Sequence, residues 1–436
     1  MNTKLFLLAG LLLTGSSVSF AQTDTNASAK ENEFSMSLQI RSRAEYRNGA
    51  LTPRYENQQA AAFINDRNRL SLSYARKGLK MGLSVQNTGV WGDMPQINKS
   101  SDVSVYEAWG QISSDNGLFA KFGRQVLSYD DERILGALDW NVNGRSHDAL
   151  KLGFENSVHK LNAVLAFNQN SERVIGGTYY TPQQPYKTMQ TLWYHYDGSA
   201  VFKPSFLFMN LGFENGNQMT GESELANLQT IGTFMTIKTS PEFDLNFSAY
   251  YQTGNNTSNN EVSAYMLSLR GIYSVDSQWT LTAGTDYLSG EGNQDDNETY
   301  NAFNPLYGTH HKFYGLMDYF YASSYARGLN PGLWDTFLGV GFKPHAKFGL
   351  SANYHYFSIT TDIYNAAEKI KRGLGSEIDF QMDWTVMKDV MLSCGYSTMF
   401  GTSSMDYVKS GSHSAWQDWG WISININPQI FSTKWR

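Results

Sequence analysis

From residue 34 onward the chain runs in short segments whose side chains alternate between apolar and polar. FSMSLQIRSRAEYR (34–47) is the clearest of them. One set of alternate positions is Phe34, Met36, Leu38, Ile40, Ser42, Ala44 and Tyr46; the other is Ser35, Ser37, Gln39, Arg41, Arg43, Glu45 and Arg47. A period of two is that of a β-strand, whose successive side chains point to opposite faces. The pattern returns in LTAGTDYL (281–288), KFGLSANYHYF (347–357) and LGSEIDFQMDW (374–384). In the last, Leu374, Ile378, Phe380, Met382 and Trp384 oppose Glu377, Asp379, Gln381 and Asp383. Candidate strands begin near 34, 64, 78, 103, 118, 147, 159, 188, 204, 227, 243, 261, 278, 333, 346, 373, 388 and 416, with the pattern weakest at 204–213 and 227–238. Their connections are sorted by length. Those after even-numbered strands are short, such as RKG (76–78), SSDNG (113–117) and TVMK (385–388). Those after odd-numbered strands are long, such as 126–146, 169–186 and 289–332. A soluble sandwich has no reason to sort its loops this way, whereas an outer-membrane barrel does. The expected fold is all-β: a transmembrane antiparallel up-and-down barrel of about 18 strands, with short periplasmic turns and long extracellular loops.

The ends and the composition agree. Lys4 precedes the apolar run Leu5–Leu13, and Ser19-Phe20-Ala21 precede Gln22, the order of a secretory signal cut after Ala21. The run is shorter than the roughly 20 apolar residues of a membrane-spanning helix. Three regions follow: a signal peptide at 1–21, a short polar disordered segment at 22–33, and one barrel domain at 34–436. Aromatic residues make up 14% and charged residues 17%. The second figure is well below the roughly 25% of soluble domains. The net charge of −6 argues against nucleic acid as a partner. Cys394 is the one cysteine, so no intramolecular disulfide is expected, and it reads as a small buried hydrophobe.

The stretch FGRQVLSYDDERILGALDWNVNGRSHDALKL (122–152) carries Gly123-Arg124-Gln125, then Tyr129, Asp131, Arg133, Gly136, Trp140, Gly144-Arg145 and Asp148. It resembles the signature of the alginate-export family of outer-membrane porins. A second stretch, FNPLYGTHHKFYGLMDYF (303–320), is similar to a segment of the Bacteroidota-type members. The resemblance spans essentially the whole mature chain. It implies an 18-stranded barrel in the outer membrane of a Gram-negative bacterium, and an Arg-lined constriction that passes an anionic uronic-acid polymer. It also makes Arg124, Tyr129, Asp131, Arg133, Arg145 and Asp148 candidates for the constriction. The long periplasmic plug described for the polymer exporters has no counterpart here, because the matching connection is only TVMK.

Alternation points Arg41, Arg43 and Arg47 inward on the first strand, with Glu45 among them, and Arg67 and Arg69 on the second. Guanidinium is permanently charged and grips carboxylates in a bidentate fork. Such a wall draws in anions, or it pairs with lumen acids and braces the barrel. The expected function is a channel for passive passage of hydrophilic, anionic, uronate-like saccharides. The expected partners are outer-membrane lipid, that solute and other envelope proteins. The alternative is a barrel plugged by 289–332 that acts as a scaffold within a surface complex. Arg124 shares its parity with Leu118, Ala120 and Phe122, which leaves its lumen role open. No enzyme is expected, since G-x-S-x-G, H-E-x-x-H and phosphate-loop motifs are missing. His310-His311 and NQDDNE (293–298) lack the ligand spacing of a metal site, so neither metal nor cofactor is expected. Asp130-Asp131-Glu132 read as salt-bridge partners of Arg124, Arg133 and Arg145 rather than as a glycosidase couple.

Overall fold

The computed structural model describes residues 31–97, 102–172, 174–175, 177–181, 185–294 and 299–436. The signal peptide, the segment 22–30 and part of NQDDNE fall outside these residues. Eighteen antiparallel strands close into one barrel. They are β1 Asn32–Asn48, β2 Ala61–Arg76, β3 Leu79–Val90, β4 Ser104–Ser113, β5 Leu118–Gln125, β6 His147–Glu155, β7 His159–Phe167, β8 Thr188–Tyr196 and β9 Phe202–Glu214. The circuit continues through β10 Leu225–Lys238, β11 Phe243–Asn255, β12 Glu261–Ser274, β13 Trp279–Leu288, β14 Leu333–His345, β15 Phe348–Ser358, β16 Gly373–Met387 and β17 Val390–Gly401. The last stave, β18, is Gln417–Ile426 continued by Gln429–Trp435. It breaks at Pro428, which has no N–H to give a neighbour. Its carbonyl still accepts the Leu38 N–H at 3.1 Å. Closure falls on β1, which sets Arg41 opposite Arg67 of β2 on one side and opposite Asn425 of β18 on the other.

β1 begins at Asn32, two residues before the expected start, because Asn32 and Glu33 pair with Trp435 and Lys434. The connections sort by end as the sequence indicates, with 256–260 a short exception at the long-loop end. Outward positions form an apolar band that includes Leu83, Phe122, Leu152, Phe206, Phe208 and Ile422, all exposed. Aromatic clusters sit at both rims. Trp279 stacks on Phe342 at 4.2 Å at the short-turn end, and Tyr287 meets Trp334 at 6.1 Å near the long loops. An apolar band between aromatic girdles is how a barrel meets a bilayer. No helix among the described residues is long and apolar enough to cross a membrane.

β9 and β10 read weakly for a physical reason. Their inward positions are also apolar: Leu207, Met209, Leu211, Ala226 and Leu228 are buried. A strand with two apolar faces loses its alternation. Local backbone also overrides parity once. Leu374 was grouped with the outward set, but Gly375 takes φ +135° beside a register shift, and Leu374 is fully buried.

Candidate functional site

Two long connections turn into the lumen. The first, 126–146, reverses at Asp130, Glu132 and Leu138, with φ of 55°, 70° and 51°. Residues with a Cβ rarely adopt this left-handed region, so surrounding contacts must hold it. The Tyr129 N–H donates to Leu135 O at 3.1 Å, and the Gly136 N–H donates to Tyr307 O at 2.9 Å on the second loop. Leu127, Ile134 and Leu135 are buried beneath.

One end of this loop docks on the β8–β13 wall. The Tyr129 ring lies 4.9 Å from Trp193, and Trp193 Nε1 donates to Asp130 Oδ1 at 3.0 Å. Arg133 pairs with Asp131 at 2.9 Å and with Asp286 of β13 at 2.8 Å. Its guanidinium also covers Phe313 at 3.9 Å. The other end docks on β1, β2 and β18. Asp139 pairs with Arg67 at 2.8 Å and Arg41 at 3.6 Å. Arg43 donates to the Trp140 carbonyl at 3.0 Å and lies 3.9 Å over its indole. Trp140 stacks on His311 at 4.1 Å and meets Trp421 edge-on at 4.9 Å. The loop therefore crosses the lumen from wall to wall.

The second inner loop, 289–332, packs beside the first. Phe303, Met317, Tyr319 and Phe320 are fully buried. Gln252 of β11 donates to Asn304 O at 2.7 Å, and Glu377 of β16 accepts the Met317 N–H at 2.8 Å. Tyr319 donates its hydroxyl to Gln417 of β18 at 3.0 Å. Arg145 reaches the carbonyls of Tyr307 and Gly308, and Lys312 pairs with Glu132 at 2.6 Å. Phe213 of β9 and Leu228 of β10 are buried beside this loop, and the apolar inner faces of both strands belong to the same buried cluster as the two loops.

Two carboxyls of the crossing loop are shifted in opposite directions. Asp130 is pushed up to about 6 by burial, against hydrogen bonds from Ser205 and Trp193. Burial also acts to raise Asp139, but Arg67 and Arg41 outweigh it and hold the carboxyl below its ordinary range.

The inward Arg positions have distinct surroundings. Arg41 and Arg43 line a cavity of about 190 Å³ on the short-turn side of the crossing loop. Arg67 is fully buried behind that loop. Arg69 donates to Gln86 at 2.9 and 2.7 Å and covers Tyr106 at 3.5 Å. Glu45 is clamped by Arg43 and Arg47, each at 2.8 Å, and accepts from Trp419 Nε1 at 3.1 Å. Of the motif residues, Tyr129, Asp131, Arg133 and Arg145 all lie in or under the crossing loop.

Arg124 and Asp148 do not belong to the constriction. They pair at 3.0 Å on the outward face, in phase with exposed Phe122 and Leu150, at the long-loop rim. The parity of β5 runs unbroken through Arg124, so its side chain stays outside. Asp130-Asp131-Glu132 likewise pair differently from the expectation: only Asp131 meets Arg133, while Glu132 takes Lys312. His311 binds Asp318 at 2.9 Å and His310 binds the Tyr321 carbonyl at 3.0 Å, so both His brace the loop.

Sequence reasoning missed Arg270, Lys312 and Trp421, which share the cavity with Arg41, Arg43 and Trp140. Glu132, Asp139 and Asp379 line it too. Arg270 was within reach. It follows Ser268 in phase on β12, opposite the exposed Leu267 and Leu269. Lys312 carries no strand parity because it lies on an inserted loop.

The model of the alginate export family matches residues 32–401. Among curated proteins none matches by sequence. Solved structures with a similar fold include OccAB1 of Acinetobacter baumannii, at 11% identity and a TM-score of 0.62, covering 93% of this chain and 100% of that one. OccK11 (OpdR) of Pseudomonas aeruginosa is similar at 9% identity and 0.59, covering 92% and 96%. OpdQ of Pseudomonas aeruginosa is similar at 12% identity and 0.59, covering 91% and 98%. These likenesses carry the fold; the family match covers most of the barrel. The chain belongs to the alginate export family, the outer-membrane β-barrel porins of Gram-negative bacteria.

Proposed function

We propose that this porin passes hydrophilic solutes passively, with a preference for anionic, uronate-like saccharides. The observation that carries this reading is the composition of the inner cavity. Arg41, Arg43, Arg270 and Lys312 converge there beside the indoles of Trp140 and Trp421. A uronate offers both a carboxylate for a guanidinium fork and a flat apolar ring face for an indole. Cations in a narrow polar lumen raise the local anion concentration, and individually weak contacts let each solute leave. Asp139, Glu132 and Asp379 on the same wall limit the net positive field, which favours transient over tight binding. Arg67, Arg69, Arg47 and Glu45 act in this reading as the frame that sets Arg41 and Arg43. No catalytic step, metal or cofactor is assigned.

The test is single-channel conductance in a planar bilayer, with reversal potential under a salt gradient and added galacturonate oligomers. An anion-selective current blocked by the oligomers, with block weakened in Arg41→Ala/Arg43→Ala, is the expected result. A current with cation preference and no block would reject the solute class. A second reading rests on the two inner loops, whose buried packing would suit a plugged barrel serving as scaffold within an envelope complex. A silent wild-type barrel that conducts once 300–330 is replaced by a short linker would favour it.

A further inference from the structure

A second cavity, of about 550 Å³, lies at the extracellular mouth between the β9–β12 wall and the loop 289–332. Thr257, Ser258 and Asn260 form its exposed rim. Among the described residues, none lining it is Asp, Glu, Lys, Arg or His, in contrast to the inner cavity. Amides and phenol rings line it instead, with Asn260, Asn330, Tyr300, Tyr321 and Tyr325 among them. One polar atom of this lining, Asn330 Oδ1, is buried without a hydrogen-bond partner among the described residues. Buried polar groups are normally paired, so an orphan on a residue that lines a cavity points to an absent partner.

We infer that this cavity is a binding site for neutral saccharides. An ion would meet no countercharge there. A purely apolar ligand would leave the amides and hydroxyls unpaired. A neutral sugar satisfies both requirements: its C–H face packs on phenol rings, and its hydroxyls exchange hydrogen bonds with amides. The cavity lies outside the inner constriction, so it would engage a glycan before any charged group is read. The inference does not rest on the anionic-saccharide reading, because binding here needs neither conduction nor the lumen Arg.

The full-length barrel, folded in detergent, is titrated calorimetrically with maltohexaose, cellohexaose and mannohexaose, and with trigalacturonate for comparison. The expected result is saturable millimolar binding of at least one neutral hexasaccharide. Asn330→Ala should weaken it about five- to tenfold, the effect of one lost hydrogen bond to a ligand. The Asn330 side-chain oxygen has no partner among the described residues, and heat-modifiable migration on a gel checks that the variant folds. Asn260→Ala at the exposed rim is the second variant and should weaken binding in the same direction. The inference is overturned if none of the neutral sugars saturates, or if both variants bind as the wild type does. Binding without conductance would sink the channel reading alone, and conductance without binding would sink this one alone.

Discussion

At the scale of single residues, the lumen works through pairs that belong to distant parts of the chain. Asp139 is the pivot, held by Arg67 at 2.8 Å and Arg41 at 3.6 Å. Arg67→Ala should leave a mostly buried carboxylate with only its longer partner. We expect a loss of about 1–3 kcal/mol in denaturant unfolding, the cost of stranding a buried polar group. New protease cleavage within 126–146 should accompany it. Unchanged stability and cleavage would mean that the pair does not anchor the loop. Asp130 acts with the opposite sign. Its folded pKa is raised by burial to about 6, so its contribution to loop docking is complete below the ordinary carboxylate range and is lost as pH rises through about 6. Hydrogen-exchange protection of 126–146, with the base-catalysed intrinsic rate divided out, should therefore fall between about pH 4 and 6. Asp130→Asn should flatten that profile while keeping an acceptor for Trp193. A wild-type profile already flat over this range would refute the assignment.

At the scale of elements, the two inner loops decide how wide the lumen is. The first spans the barrel through Arg133, paired with Asp286 of β13, and Asp139, paired with Arg67 of β2, and the second lies beside Phe213 of β9 and Leu228 of β10. Replacing 300–330 by a short Gly/Ser linker should raise single-channel conductance severalfold. It should also lower stability, since Phe213 and Leu228, buried beside that loop, would then face water. Equal conductance before and after would show that the narrowest point lies elsewhere. These elements also mark the limit of reading by period. β1, β2 and β16 alternate cleanly because their inner faces are polar. β9 and β10 do not, because their inner faces are apolar and buried. The parity of β5 left the lumen role of Arg124 open, and the structure keeps its side chain outside, against the expectation drawn from the motif.

For the whole molecule, the bilayer is the solvent of the outer face, and this sets a directional test. Phe208 points outward from the middle of β9 and is exposed, whereas its neighbour Met209 is fully buried. Phe208→Arg should cost about 2–4 kcal/mol in refolding into lipid vesicles, as a cation does at the midplane of a barrel. Phe208→Leu should cost little. If the two variants refold alike, the apolar band is not where this geometry puts it. Closure itself rests on β18 pairing with β1 across nearly the full length of the chain. Asn32 sits opposite Trp435, so loss of the last strand would leave β1 an open edge.

The sequence alone determined the barrel, the approximate strand boundaries and the sorting of connections. All three follow from a local rule, in which each strand keeps one face to lipid and one to the interior. Alternation also assigns Arg41, Arg43, Arg47, Arg67 and Arg69 to the inward set as an expectation, because parity is local too. Tertiary structure alone decided which of them meet the cavity. That depends on loops whose partners lie far along the chain: Arg133 binds Asp286 153 positions away, and Trp419 binds Glu45 374 away. No period links such residues. Their meeting is set by barrel closure and by the burial of apolar loop side chains, which only the assembled fold brings together.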